Sequence, residues 1–218
     1  TTYPGRSKYQ IVVDSLELSR KAAETDADFI RTFFACQYAG LVPAPLPLPT
    51  PLGGREAYVE QIARMLGAAQ ASAVFGPASY GAWLREAADL AGADLIGPSL
   101  EALPAETGVA LPVVGPDDLC YVQFSSGSTR FPTGVMVTHR SLMANAVAIT
   151  RDGLKVVAGD RAVSCLPLYH DMGLIGFLLS PLACQMSVDL LPTSAFVRRP
   201  LLWLDLISRN SASISYSP

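Results

Sequence analysis

The chain has 218 residues, half of them hydrophobic, and a formal charge of −3. Only 16% of its residues are charged, below the roughly 25% of an ordinary soluble domain, so apolar surface must be buried in a thick core, against a further domain or around an apolar ligand. The length suits one sizeable domain or two small lobes. The acidic balance, with no basic cluster beyond a pair such as Arg198–Arg199, argues against nucleic acid as a main partner.

Cys36, Cys120, Cys165 and Cys184 show no CxxC spacing, and each sits in an apolar run. Such thiols behave as small buried hydrophobes in a reducing compartment, which points to the cytoplasm. His139 and His170 are the only imidazoles, too few for an ordinary zinc site, so no metal ligands are assigned. The most apolar stretch, 172–191, is broken by Ser180, Pro181, Gln185 and Asp189, which excludes a membrane-spanning helix there. No signal-peptide pattern opens the chain.

In chain order, Asp26 is placed to cap a helix carrying Phe29, Ile30, Phe33 and Phe34, with Gly40 as its stop. The prolines of 42–49 cannot donate to a ladder, so an edge strand leading into an extended loop is expected. Tyr58, Ile62, Met65, Leu66 and Ala69 recur at helical spacing. A strand over 73–75 and a helix over 82–91 follow, and 96–116, rich in Pro and Gly, reads as a linker. The approximate lobes are then 1–100 and 117–218.

Beyond the linker, 119–124 reads as a buried strand, 135–139 as a second, and Ser141 opens a helix bearing Leu142, Ala146 and Ile149. His139 reads as a surface or helix-start residue. A strand over 162–168 leads to Tyr169, His170 and Asp171, a helix starts at Met172, and 187–191, a helix over 201–207 and a terminal SISYS complete the series. Alternation of this kind implies an α/β fold with mainly parallel sheets flanked by helices.

The segment most suggestive of chemistry follows the buried strand: Ser125, Ser126, Gly127, Ser128, Thr129, Arg130, then Gly134. Small hydroxyl residues around glycine expose backbone N–H donors, add hydroxyl donors and permit close approach to a polyphosphate. In open α/β sheets ligands collect at such strand ends. A plain solvated loop has the same composition, and the Walker A spacing is absent. At Tyr169–His170–Asp171, the bland reading is an imidazole beside a helix start with Asp171 as its cap. Met172, Leu174, Ile175, Phe177 and Leu178 equally suit packing of a helix onto a sheet.

The run SSGSTRFPTGVMVTH (125–139) resembles the phosphate loop of the adenylate-forming superfamily, which includes acyl-CoA synthetases, adenylation domains and luciferases. LPLYHDMGLIG (166–176) resembles that superfamily's next motif, whose His lies near the bound acid and the α-phosphate. RTFFACQYAGLVPAPLPLP (31–49) and the HDMGLIG form are similar to the fatty acyl-AMP ligase branch. The resemblance covers most of the chain from about Ala23.

It implies an incomplete N-terminal adenylation domain over 1–218 that uses ATP and Mg²⁺ to turn a long-chain fatty acid into acyl-AMP. The acyl group would pass to an acyl-carrier protein or a polyketide or peptide synthase module. It also implies that Ser125 to Thr129, with Arg130 and Gly134, hold the phosphates, that His170 and Asp171 carry catalysis, and that Ile175 and Phe177 line the acyl pocket. Most relatives have Gly at Arg130 and Lys at Thr133, so the charge near the leaving phosphates differs here in geometry. Adenine and ribose contacts, a metal-binding acid and a C-terminal domain with a catalytic Lys are expected beyond Pro218, leaving this piece inactive alone. The run of ELSRK into AAETD suggests residues missing within 15–23. Acyl-CoA synthesis is the alternative activity, and a non-catalytic scaffold of the same fold the other reading.

Overall fold

The computed structural model describes residues 9–12, 27–49, 54–76, 78–95, 111–125 and 133–216. They form two compact units that divide between Thr138 and His139. The capping position Asp26, the 15–23 stretch and most of the expected linker lie outside the described residues.

In the first unit, β1 (Tyr9–Val12), β2 (Ala71–Phe75) and β3 (Asp94–Leu95) pair in parallel in the order β1-β2-β3. Helix α1 spans Ala27–Tyr38, α2 spans Arg55–Ala68 and α3 spans Gly81–Ala91. The helical stripe of α2 turns inward as Tyr58, Val59, Ile62, Met65 and Leu66. It meets Leu84, Ala87 and Ala88 of α3 in one core with Val42, Ala44, Leu46, Val74, Val122 and Phe124. Each large aliphatic side chain buried this way contributes about 1.5–3 kcal/mol. Helix α3 ends at Gly92, whose φ of 69° needs the left-handed region. Phe29 and Phe33 of α1 are fully buried, and the Phe33 ring packs 5.9 Å from that of Tyr121.

Strand β4 (Leu119–Ser125) pairs antiparallel with β5 (Thr133–Thr138). This hairpin is the main departure from the parallel strand-and-helix units expected, and it explains where the division falls. Val122 and Phe124 of β4 belong to the core of α2 and α3, so the hairpin stays with the first unit instead of opening a lobe at residue 117. What is described of the expected linker, 111–116, forms neither helix nor strand. The proline-rich 42–49 forms no strand beyond a single bridge position at Leu46: it buries Val42, Ala44 and Leu46, and its Pro43 carbonyl accepts from the Val122 N–H at 3.0 Å. A chain short of donors still serves a strand by accepting.

In the second unit β6 (Arg161–Ser164) and β7 (Ser187–Leu190) pair in parallel. Helix α4 (His139–Val147) continues as a π-helical turn over Ala148–Gly153. Helix α5 (Asp171–Leu174) runs through a second π-helical stretch, Ile175–Leu179, into α6 (Ser180–Cys184). Helices α7 (Thr193–Arg198) and α8 (Leu201–Arg209) follow; α7 was not expected. Of the terminal SISYS the described residues, 213–216, make an isolated bridge, Ile214 to Ala162, and are fastened by side chains. Trp203 Nε1 donates to Ser215 Oγ at 2.9 Å, and that hydroxyl donates to the Val163 carbonyl at 2.6 Å. No helix among the described residues is long and apolar enough to cross a membrane.

Candidate functional site

Two pieces of the expected site are described, one in each unit. In the first, Ser125 closes β4 and Thr133 opens β5, directly opposite in register, and Ser125 Oγ is 3.4 Å from the Thr133 carbonyl oxygen it faces as donor. The intervening 126–132, with Ser126, Gly127, Ser128, Thr129 and Arg130, lies outside the described residues. Their stem is nonetheless fixed. The expected donors are strung between the ends of two antiparallel strands, with no helix start directly after them. Gly134 pairs with Phe124, and a Cβ at that glycine would stand 2.9 Å from Val122 Cγ1 and 3.4 Å from Phe124 Cε1. Its lack of a side chain is thereby accounted for by cross-strand packing alone.

In the second unit the chain leaves β6 through Cys165, Leu166, Pro167 and Leu168 and turns into α5. The exit is tied down: Leu166 N–H donates to Ser164 Oγ at 3.1 Å, and Thr193 Oγ1 donates to the Cys165 carbonyl at 2.9 Å. His170 is itself the N-cap residue of α5, with extended φ −92° and ψ 141°, and Asp171 is the first helical residue. The capping position expected for Asp171 is therefore one residue earlier.

His170 Nδ1 lies 2.7 Å from Asp171 Oδ1. The Met172 N–H stands 2.7 Å from that carboxylate oxygen and 3.3 Å from Nδ1. One nitrogen cannot both donate and accept along these directions. The shorter contacts pair consistently: the carboxylate accepts from Met172 N–H and from Nδ1–H. With Nδ1–H given to Asp171, Nε2 is the remaining ring nitrogen, an acceptor in neutral imidazole and an N–H donor in imidazolium, on a side chain that is 49% exposed.

Gly173 was not singled out from the sequence, yet the geometry of this turn depends on it. A Cβ there would overlap the Pro167 carbonyl oxygen, with the carbonyl carbon at 2.9 Å and the Leu166 oxygen at 3.3 Å. The available signal was a glycine inside a predicted helix, where it costs about 1 kcal/mol against alanine and so marks close backbone approach.

Of the two pocket candidates, Phe177 is buried with Ala162 and Leu166, against Met186, Val188, Leu190 and Ile214, and its ring centroid is 4.6 Å from that of Tyr216. Ile175 is half-buried at the start of the π-helical stretch. Among the described residues no group of three or more His, Cys, Asp or Glu could hold a metal ion.

The AMP-binding enzyme family matches residues 22–218. The chain belongs to that family. A Caulobacter vibrioides protein provisionally named an acyl-CoA synthetase is 66% identical over 90% of this chain. The Mycolicibacterium smegmatis long-chain-fatty-acid–AMP ligase FadD32 is 33% identical over 88% of it. A solved structure from a study of fatty acyl-adenylate ligases of E. coli and L. pneumophila superimposes with a TM-score of 0.86 over 98% of the chain, at 43% identity. The resemblance to fatty acyl-AMP ligases read from the motifs is thus met in sequence and in structure. This member of the AMP-binding enzymes spans about a third of those proteins, 34%, 31% and 37% of their respective lengths.

Proposed function

We propose that the protein to which these residues belong activates a long-chain fatty acid with ATP as acyl-AMP, releases pyrophosphate, and passes the acyl group to a carrier protein in the cytoplasm. The observation that carries this reading is the 43% identity and 0.86 TM-score to a fatty acyl-adenylate ligase structure, across both the hairpin and the His170 turn. A medium-chain-fatty-acid–[acyl-carrier-protein] ligase, JamA of Moorena producens, at 29% identity, is in keeping with a carrier as acceptor.

The chemistry is attack by a carboxylate oxygen on the α-phosphorus of ATP, forming one P–O bond as the bond to pyrophosphate breaks. The nucleophile is already anionic, so alignment and charge neutralisation are what the protein must supply. Ser125 and the donors of 126–130, carried on the β4–β5 stem that Gly134 keeps tight, are assigned to the β- and γ-phosphates. Arg130 stands in for the cation that Thr133 does not provide. His170 is assigned to the carboxylate and α-phosphate, held by Asp171 through Nδ1 so that Nε2 is the working nitrogen. Phe177 is assigned to the core behind this turn and Ile175 to the acyl pocket. Mg²⁺ would neutralise the departing phosphates when bound; the described residues are given no part in holding it.

A second reading, acyl-CoA synthesis, is favoured by the name of the 66% identical relative. Full-length protein incubated with labelled fatty acid, MgATP and coenzyme A separates the two. Acyl-AMP that persists with coenzyme A and disappears only on adding a holo carrier protein is the expected outcome. Acyl-CoA as product establishes the second reading, and no adenylate from any carboxylic acid overturns both.

A further inference from the structure

Resting on the role assigned to His170 above, we infer that Gly173 and the Pro167 carbonyl form a latch that positions this imidazole for adenylation. The Pro167 carbonyl oxygen accepts from the His170 N–H at 3.2 Å, and the His170 carbonyl accepts from the Leu174 N–H at 2.8 Å. His170 is thereby held by its backbone on both sides, to the strand exit before it and to the first helical turn after it. Gly173 is the residue that lets the two approach. Its Cα faces the same Pro167 carbonyl, at a separation that leaves no room for a Cβ.

The strand exit is itself braced, since Ser164 Oγ and Thr193 Oγ1 fix Leu166 and Cys165. A Cβ at 173 therefore cannot be relieved by moving Pro167 cheaply; the start of α5 must lift, and His170 is its cap. The side chain then leaves its place relative to the reacting groups even though its pairing with Asp171, local to the turn, survives. Gly173 is a positioning residue: it touches no reacting atom and acts through His170.

The test is pyrophosphate release by the full-length protein with a fatty acid and MgATP, for Gly173→Ala, His170→Ala and the double variant. Gly173→Ala is expected to lower kcat by about tenfold or more with the KM for ATP little changed, as a misplacement of roughly 1 Å does. In the His170→Ala background the same substitution should cost nothing further, because the group it positions is gone. Additive losses overturn the latch while leaving the role of His170 standing. A wild-type rate for His170→Ala overturns that role, and the latch with it. Should Gly173→Ala not fold, Pro167→Gly loosens the anchor without adding atoms. A loss that vanishes in the His170→Ala background supports the latch, and an undiminished kcat overturns it.

Discussion

His170 Nδ1 and Asp171 Oδ1 are 2.7 Å apart, and the same oxygen takes the Met172 N–H at 2.7 Å. One carboxylate atom therefore orients the imidazole and ties its own side chain to the first turn of α5. Asp171→Ala removes both and should lower adenylation by about tenfold, through loss of orientation. Asp171→Asn keeps an oxygen able to accept and should lose less. His170→Ala should lose about a hundredfold, the scale of losing a group that aligns the reacting atoms. Steady-state pyrophosphate release measures all three; equal rates for Asp171→Ala and wild type would remove Asp171 from the site.

Gly134 was assigned to phosphate binding, but it sits where a side chain would strike Val122 and Phe124. Gly134→Ala should destabilise the fold by about 1–2 kcal/mol as overpacking, read from the urea midpoint. It should raise the KM for ATP only as the stem distorts. A raised KM at unchanged stability would mean that the glycine backbone meets the nucleotide directly.

Burial pushes the Cys36 and Cys120 thiols from the ordinary 9.0 up to about 12. For Cys120 the 2.8 Å contact from Gln37 Nε2 pulls the other way and is outweighed. Both should resist a thiol reagent at pH 8 until the protein unfolds, while the partly exposed Cys184 reacts first. The sign for stability follows from linkage. Between pH 9 and 12 the unfolded state has released protons that the folded state keeps, so stability falls as pH rises, by at most about 1.4 kcal/mol per pH unit for each thiol. Urea midpoints at pH 8 and 10, in wild type and in Cys36→Ala/Cys120→Ala, measure this; an equal fall in both would assign it to other groups.

Gly67 lies near the end of α2, exposed, with nothing within 4 Å of where a Cβ would stand. Gly67→Ala should raise stability by about 0.5–1 kcal/mol through the unfolded chain alone. The thermal midpoint should climb with activity unchanged.

What the sequence made legible was local. The spacing of Tyr58, Ile62, Met65 and Leu66 marked the buried face of α2 because one helix has one core-facing stripe. The apolar run at 119–124 marked β4 because a strand buried on both faces carries little else. Pairing was not legible. That β5 returns antiparallel to β4, and that Gln37 reaches Cys120 across 83 positions, depend on partners that no local pattern names. The six residues of α7 are too few to show a period, and 42–49 buries Val42, Ala44 and Leu46 with no more than a single bridge position. At the site, resemblance named His170 and Asp171, while Gly173 was hidden because its reason is a backbone oxygen six positions earlier.

The register of Ser125 against Thr133 also bears on how this segment changes over time. The chain departs from the core and re-enters it at one place, so the seven residues between are spliced onto a finished support. Doubling such an excursion costs only about 0.6 kcal/mol in closure entropy, and the described ladder already closes at Ser125 and Thr133. Substitutions such as Arg130 can accumulate there with little toll on folding. On the role proposed for this segment, its composition answers to the phosphates it would hold, and transplanting it between relatives should carry phosphate preference while leaving the thermal midpoint in place.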